Sequence, residues 1–176
     1  MTSKITASQT IGPFPHEAWR WAVDLTAGVD SSAPTIRITG AVFDGDGAAI
    51  NDAWIEAWMP DSAPLETAHA IPGYRRVPSG EQGGFTLQVS LPVSLPPAAA
   101  SGKPAAYITV FARGLTKHQF TAVFLEDDAG LAQSELLGQV PPQRRDTLIA
   151  RKQADGSYLW NIHMQGAQET VFFDYT

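Results

Sequence analysis

Between residues 35 and 58 the chain alternates apolar and polar side chains with a period of two, and this restricts the fold more than any other feature. Ile36, Ile38, Gly40 and Val42 fall on one side of an extended chain, and Arg37, Thr39 and Ala41 on the other. A strand with one buried face has this pattern, because successive side chains point to opposite faces. Asp44-Gly45-Asp46-Gly47 follows, and these residue types tolerate the positive φ angles of a chain reversal. A second alternating run has Trp54, Glu56 and Trp58 on one face and Ala53, Ile55 and Ala57 on the other. Two such runs around a Gly/Asp turn predict a β-hairpin.

The rest of the chain extends this reading. Phe85, Leu87, Val89 and Leu91 alternate with Thr86, Gln88 and Ser90 in another half-buried strand. Residues 107–111 and 121–125 predict two more. Residues 148–150 and 158–164 flank Ala154-Asp155-Gly156 and predict a second hairpin. Residues 170–173 predict a last short strand, and residues 134–137 one helical turn. Residues 59–78 and the Pro/Ala stretch 92–104 read as irregular. The 13 Pro and 15 Gly in 176 residues argue against a helical bundle and for many short strands with turns. The expected fold is all-β: a sandwich of mainly antiparallel strands with long loops and little helix. It forms a single domain over residues 1–176, with an N-terminal arm at 1–34. Pro13 and Pro15 keep residues 8–16 of that arm from being a helix interior.

Charge and composition exclude several functions. A net charge of −6 with no basic block makes nucleic acid a poor partner. No run of 18 apolar residues is present, so no helical membrane span is expected. The N-terminus lacks a hydrophobic signal core and there is no cysteine, which together suggest a soluble, cytoplasmic protein.

Single motifs carry little chemistry by themselves. Asp44-Gly-Asp-Gly suggests calcium but fails the EF-hand pattern, because Ala48 and Ala49 stand at the third-ligand and glycine positions. Glu126-Asp127-Asp128 reads as a solvated turn before it reads as a cation site. Trp54 and Trp58 suit a core or a subunit interface better than a sugar-stacking platform. Arg144 and Arg145 suit a solvated face or an inter-subunit pair. The four histidines, at 16, 69, 118 and 163, are scattered, and a structural hydrogen bond is the preferred role for His118.

Several phrases belong together: Ser8-Gln9-Thr10-x-Gly12-Pro13-Phe14, Asp52-Ala53-x-Ile55-Glu56-x-Trp58, Phe111-Ala112-Arg113-Gly114-Leu115, Arg144-Arg145-x-Thr147-Leu148, and Glu169-Thr170-Val171-Phe172-Phe173-Asp174. In this order they resemble the intradiol ring-cleaving dioxygenases. More narrowly, they resemble the α type of chain in the members built from two kinds of subunit, which act on protocatechuate. The resemblance implies O₂-dependent opening of a catechol ring at Fe(III). That iron is held by the β subunit through two Tyr phenolates and two His in a His-x-His strand. Ferric iron is a hard cation and phenolate a hard donor.

This sequence departs from that ligand set. Ala105-Ala106-Tyr107 stands where His-x-His is expected, and no Tyr-Pro-Trp occurs between Leu91 and Pro104. The resemblance therefore implies an αβ hetero-oligomer in which this chain binds no metal. Its pocket-lining positions would be Thr10, Gly12, Pro13 and Arg113. Arg113 suits an anionic substrate, and equally an ion pair with an acid of the first hairpin. Three other readings stay open: a free-standing transthyretin-like sandwich used for binding or assembly, a self-sufficient dioxygenase using its Tyr and His in another arrangement, and a dioxygenase acting on another substituted catechol.

Overall fold

The structure, a computed structural model, describes residues 7, 9, 10, 12, 19–26, 34–92 and 101–174. Pro13, His16 and most of the Pro/Ala stretch lie outside the described residues. Nine strands are present among those described: β1 (Thr35–Phe43), β2 (Trp54–Trp58), β3 (Tyr74–Pro78), β4 (Gly84–Ser90), β5 (Ala106–Phe111), β6 (Gln119–Leu125), β7 (Ile149–Lys152), β8 (Tyr158–Leu159) and β9 (Ile162–His163). Two short α-helices, α1 (Arg20–Thr26) and α2 (Glu135–Gly138), and three 3-10 segments accompany them among the described residues.

The strands pair along one path, β3-β2-β5-β6-β7-β8-β1-β4, with β9 beside β1. Five of the pairings are antiparallel, whereas β1–β8, β1–β9 and β6–β7 are parallel. The path folds over on itself. Ile38, Val42, Phe85, Leu87 and Val89 from β1 and β4 share one buried cluster with Ile55, Ala57, Ile108, Val110 and Val123 from β2, β5 and β6. The two leaves thus face each other across a common core, which is the all-β sandwich expected.

The first hairpin is a correction. The turn forms: the Asp44 N–H donates to the Ala48 carbonyl at 2.9 Å, and Asp44 Oδ1 accepts from the Asp46 and Ala48 N–H groups. That carboxylate is therefore occupied by its own backbone. The strands it joins, however, do not pair with each other. β1 pairs with β4 in one leaf, and β2 runs between β3 and β5 in the other. Alternation specifies a strand and its faces but not its partner. β2 is covered on both faces at its start, with Ile55 in the core and Trp54 under Trp19, and this suits the interior of a sheet.

Three further expectations are revised. Residues 59–78 are not wholly irregular, because 74–78 form β3, anchored by a buried ion pair. Arg75 donates to both oxygens of Glu66, and the Gly73 N–H donates to Glu66 Oε2 at 2.7 Å. Burial pushes the Glu66 carboxyl up. Hydrogen bonds from Arg75, Ser90 and Gly73, with the Arg75 charge, outweigh burial and hold it at about 2. The segment read as an arm contains α1, which lies against β3. Its Thr26 hydroxyl accepts the Arg76 N–H at 3.0 Å, satisfying a donor on the edge strand. Residues 170–173 are not a strand and make one bridge, Phe120 to Phe173. Side-chain hydroxyls hold the segment instead: Thr121 donates to the Val171 carbonyl and Thr147 accepts the Val171 N–H.

The second hairpin forms as expected, β7 with β8. The helical turn at 134–137 appears as α2, capped by Ser134 Oγ, which accepts the Leu137 N–H. Gly40 is required by close approach, since a Cβ there would lie 1.7 Å from the Trp160 carbonyl oxygen.

Candidate functional site

The outer face of the β3-β2-β5-β6 leaf carries two of the three exposed large aromatics among the described residues, Trp58 and Tyr107, the third being Trp21 in α1. Alternation along β2 sends Ile55 and Ala57 into the core and Trp54, Glu56 and Trp58 outward. The register places Trp54 opposite Phe111, Glu56 opposite Thr109, and Trp58 opposite Tyr107 on one side and Tyr74 on the other. Trp19 covers one end of this face, edge-on to Trp54 at 5.8 Å and to Phe111 at 5.5 Å, with the Arg76 guanidinium 4.7 Å over its ring. At the other end Trp58 and Tyr107 remain 44% and 40% exposed. Between the ends lies a groove of about 370 Å³ lined by Glu56, Trp58, Tyr74, Tyr107, Thr109 and Phe120. Glu56 is ion-paired with Arg76, so its floor carries no net charge. Burial, and then the Glu56 carboxylate, push the Tyr74 phenol above its ordinary range.

Arg113 lies in the turn that follows β5, two residues beyond Phe111. Its Nε lies 2.9 Å from Asp52 Oδ2, and Asp52 lies in the turn two residues before β2. This is the acid of the first hairpin that sequence allowed as a partner. The Arg113 side chain is nevertheless 65% exposed. Thr10 and Gly12 form a local turn, in which Thr10 Oγ1 accepts the Gly12 N–H at 3.1 Å. Gly12 has φ +83° with open space around it, so glycine is needed there for backbone angle and not for room. Among the described residues no hydrogen bond or ion pair joins this turn to Arg113.

The described residues do not fit a ferric centre. Among those described, no group of three or more His, Asp or Glu stands close enough to hold a metal ion. Ala106, in the middle of the expected His-x-His position, faces the core, while Tyr107 faces outward. Tyr158 is pushed up to about 12 by burial and by Asp127, which accepts its hydroxyl at 2.8 Å. It is a structural phenol. His118 packs against Phe111 and Phe120 at 5.3 and 4.6 Å, and His163 stacks on Phe43 at 5.0 Å. Among the described residues, ring packing is what holds His118.

The acidic run at 126–128 is neither a cation site nor a merely solvated turn. Glu126 accepts the Lys152 N–H, and Asp127 holds Tyr158 and Lys152. Asp128 accepts from the backbone of Ser101, Gly102 and Gly130 and from the Ser101 hydroxyl. A larger cavity of about 610 Å³ opens beside this run, near Met59, Lys103 and Tyr107. Lys103 there is paired with Asp61 at 2.8 Å. Sequence reasoning missed the outer groove because its lining comes from four strands whose neighbours local alternation does not reveal.

A scan against protein-family profiles finds no match. Among solved structures, the dioxygenase domain of a dioxygenase–carbohydrate-binding fusion from Streptomyces sp. SirexAA-E is similar over 79% of this chain and 86% of its own, with a TM-score of 0.55 and 19% identity. Hydroxyquinol 1,2-dioxygenase from Pseudomonas putida DLL-E4 is similar over 77% of this chain and 57% of its own, with a TM-score of 0.53 and 16% identity. The fold is therefore that of the intradiol dioxygenases. Sequence narrows this. The protocatechuate 3,4-dioxygenase alpha chain of Burkholderia cepacia is 32% identical, with 98% of both chains aligned, and that of Pseudomonas putida is 33% identical over 97% of this chain and 96% of its own. The chain belongs to the protocatechuate 3,4-dioxygenase alpha-chain family.

Proposed function

We propose that this chain is the iron-free α subunit of a protocatechuate 3,4-dioxygenase, working in the cytoplasm as part of an αβ hetero-oligomer. The β subunit holds Fe(III), and O₂ is consumed in opening the protocatechuate ring between its hydroxyl-bearing carbons to give 3-carboxy-cis,cis-muconate. The observation that carries the reading is a scaffold of this family whose ligand strand reads Ala105-Ala106-Tyr107. Such a chain contributes to the reaction by shaping a partner's pocket, and ligand sites are common at such junctions.

Residues 1–34 act as the arm of this single domain, and Thr10, Gly12 and Pro13 line the pocket. The bare backbone at Gly12 lets the chain approach an aromatic ring closely. Arg113 faces the carboxylate of the substrate. Asp52 takes its Nε–H, and the terminal donors of the guanidinium remain for a second carboxylate.

The test is to purify the chain alone and together with an iron-bearing partner of the same family. The expected outcome is no stoichiometric iron and no activity alone, with O₂ uptake on protocatechuate once the partner is added. A lone chain that carries iron with tyrosinate colour overturns the proposal.

A further inference from the structure

We infer that Asp52 is a positioning residue for Arg113: its carboxylate holds the guanidinium at Nε and leaves the two terminal nitrogens turned toward the carboxylate of the substrate. This rests on the function proposed above and deepens it by naming a residue that selects for the carboxylated ring. Both side chains stand where non-local pairing leaves them. Trp54 lies opposite Phe111 at the end of the β2–β5 ladder. Asp52 precedes Trp54 by two residues and Arg113 follows Phe111 by two. The antiparallel register, carried one step further, therefore sets the two opposite each other. The Arg113 Nε lies 2.9 Å from Asp52 Oδ2.

Asp52 is the fixed member of the pair. Only 22% of its side chain is exposed. The next residue, Ala53, is buried and tied twice: its N–H donates to Ser79 Oγ at 2.9 Å and its carbonyl accepts the Ser79 N–H at 2.8 Å. Arg113 is the movable member, exposed on a long side chain. Its backbone is set by a turn in which the Leu115 N–H donates to the Ala112 carbonyl at 3.2 Å and Gly114 has φ +89°. A glycine with positive φ at the third place of a four-residue turn marks a type II turn. The turn fixes where the side chain leaves the backbone but not where its head points. An unrestrained Arg has many rotamers, and ordering one detracts from binding. Among the described residues Asp52 is the one charged partner of Arg113. An ion pair this exposed adds little to stability, so its effect lies in orientation. The guanidinium is planar, and a contact at Nε leaves the terminal nitrogens for a second carboxylate. A ring without a carboxylate gains nothing from that arrangement, so Asp52 bears on selection among catechols and not on ring opening.

The test uses the chain assembled with an iron-bearing partner. Asp52→Asn keeps the shape of the side chain and removes its charge, and Asp52→Ala is run beside it. Each is made in the wild-type chain and in Arg113→Ala. In the wild-type chain the ratio of kcat/KM on protocatechuate to that on catechol is expected to fall at least about threefold, with the loss carried by KM. In Arg113→Ala the same change is expected to have no further effect, because nothing remains to be positioned. The thermal midpoint of the complex is expected to stay at the wild-type value. An unchanged ratio, or an equal fall with and without Arg113, overturns the positioning role and leaves the α-subunit function standing. A lower thermal midpoint or loss of the complex in both Asp52 variants overturns it in favour of a carboxylate that only holds its turn. A wild-type complex that does not open the protocatechuate ring overturns the function proposed above, and this inference with it.

Discussion

Glu66 shows how much one side chain can carry. It is fully buried, and its carboxylate ties Gly73 and Arg75 into the turn that launches β3. Its folded value of about 2 lies below the ordinary 4.5, so the unfolded chain binds the extra proton between those values. The stability it confers is therefore complete above pH 4.5 and is lost as pH falls from 4.5 toward 2. The difference corresponds to about 3 kcal/mol. Glu66→Gln is expected to lower stability at pH 7 by about 3 kcal/mol, because the Arg75 charge is left buried without its counter-ion. The gap between wild type and variant should close as pH falls from 5 to 2. Urea titrations across that range measure it, and a gap independent of pH contradicts the assignment.

At the scale of elements, α1 protects an edge. β3 ends the pairing path, and an edge strand with open donors is a site for unwanted pairing. The Thr26 hydroxyl closes the Arg76 donor and at the same time donates to the Ala22 carbonyl at 2.8 Å. Thr26→Val keeps the shape and removes both bonds. It is expected to cost about 1–2 kcal/mol and to speed hydrogen exchange at the Arg76 amide more than at the β5 amides. Uniform exchange changes, or none, argue against a capped edge. The sequence around α1 gave little warning of it. Seven residues are too few for a clear helical period, and the helix is held by β3 and not by its own propensity.

For the whole molecule, the prediction concerns the reaction proposed for this chain together with an iron-bearing partner. Arg113→Ala removes an exposed pair with Asp52 and is expected to change stability by less than about 1 kcal/mol. In the two-subunit complex it should raise KM for protocatechuate about tenfold or more, the worth of a charged hydrogen bond. Turnover of catechol, which lacks the carboxylate, should be unaffected. Equal losses on both substrates would mean that Arg113 supports structure only.

Local pattern in the chain was enough to specify strands, their buried faces, the turn at Asp44 and the hairpin through Asp155, because each depends on neighbours within a few residues. The family resemblance showed where a His-x-His would stand, and Ala105-Ala106-Tyr107 is read there directly from consecutive letters. Which strand lies beside which could not be read this way. β1 and β2 look like a hairpin and instead part into opposite leaves, because the buried sides of Ile55 and Trp54 are satisfied only between β3 and β5. The aromatic outer face exists for the same reason: Trp58, Tyr74 and Tyr107 are distant in sequence and become one surface only when non-local pairing brings their strands into register.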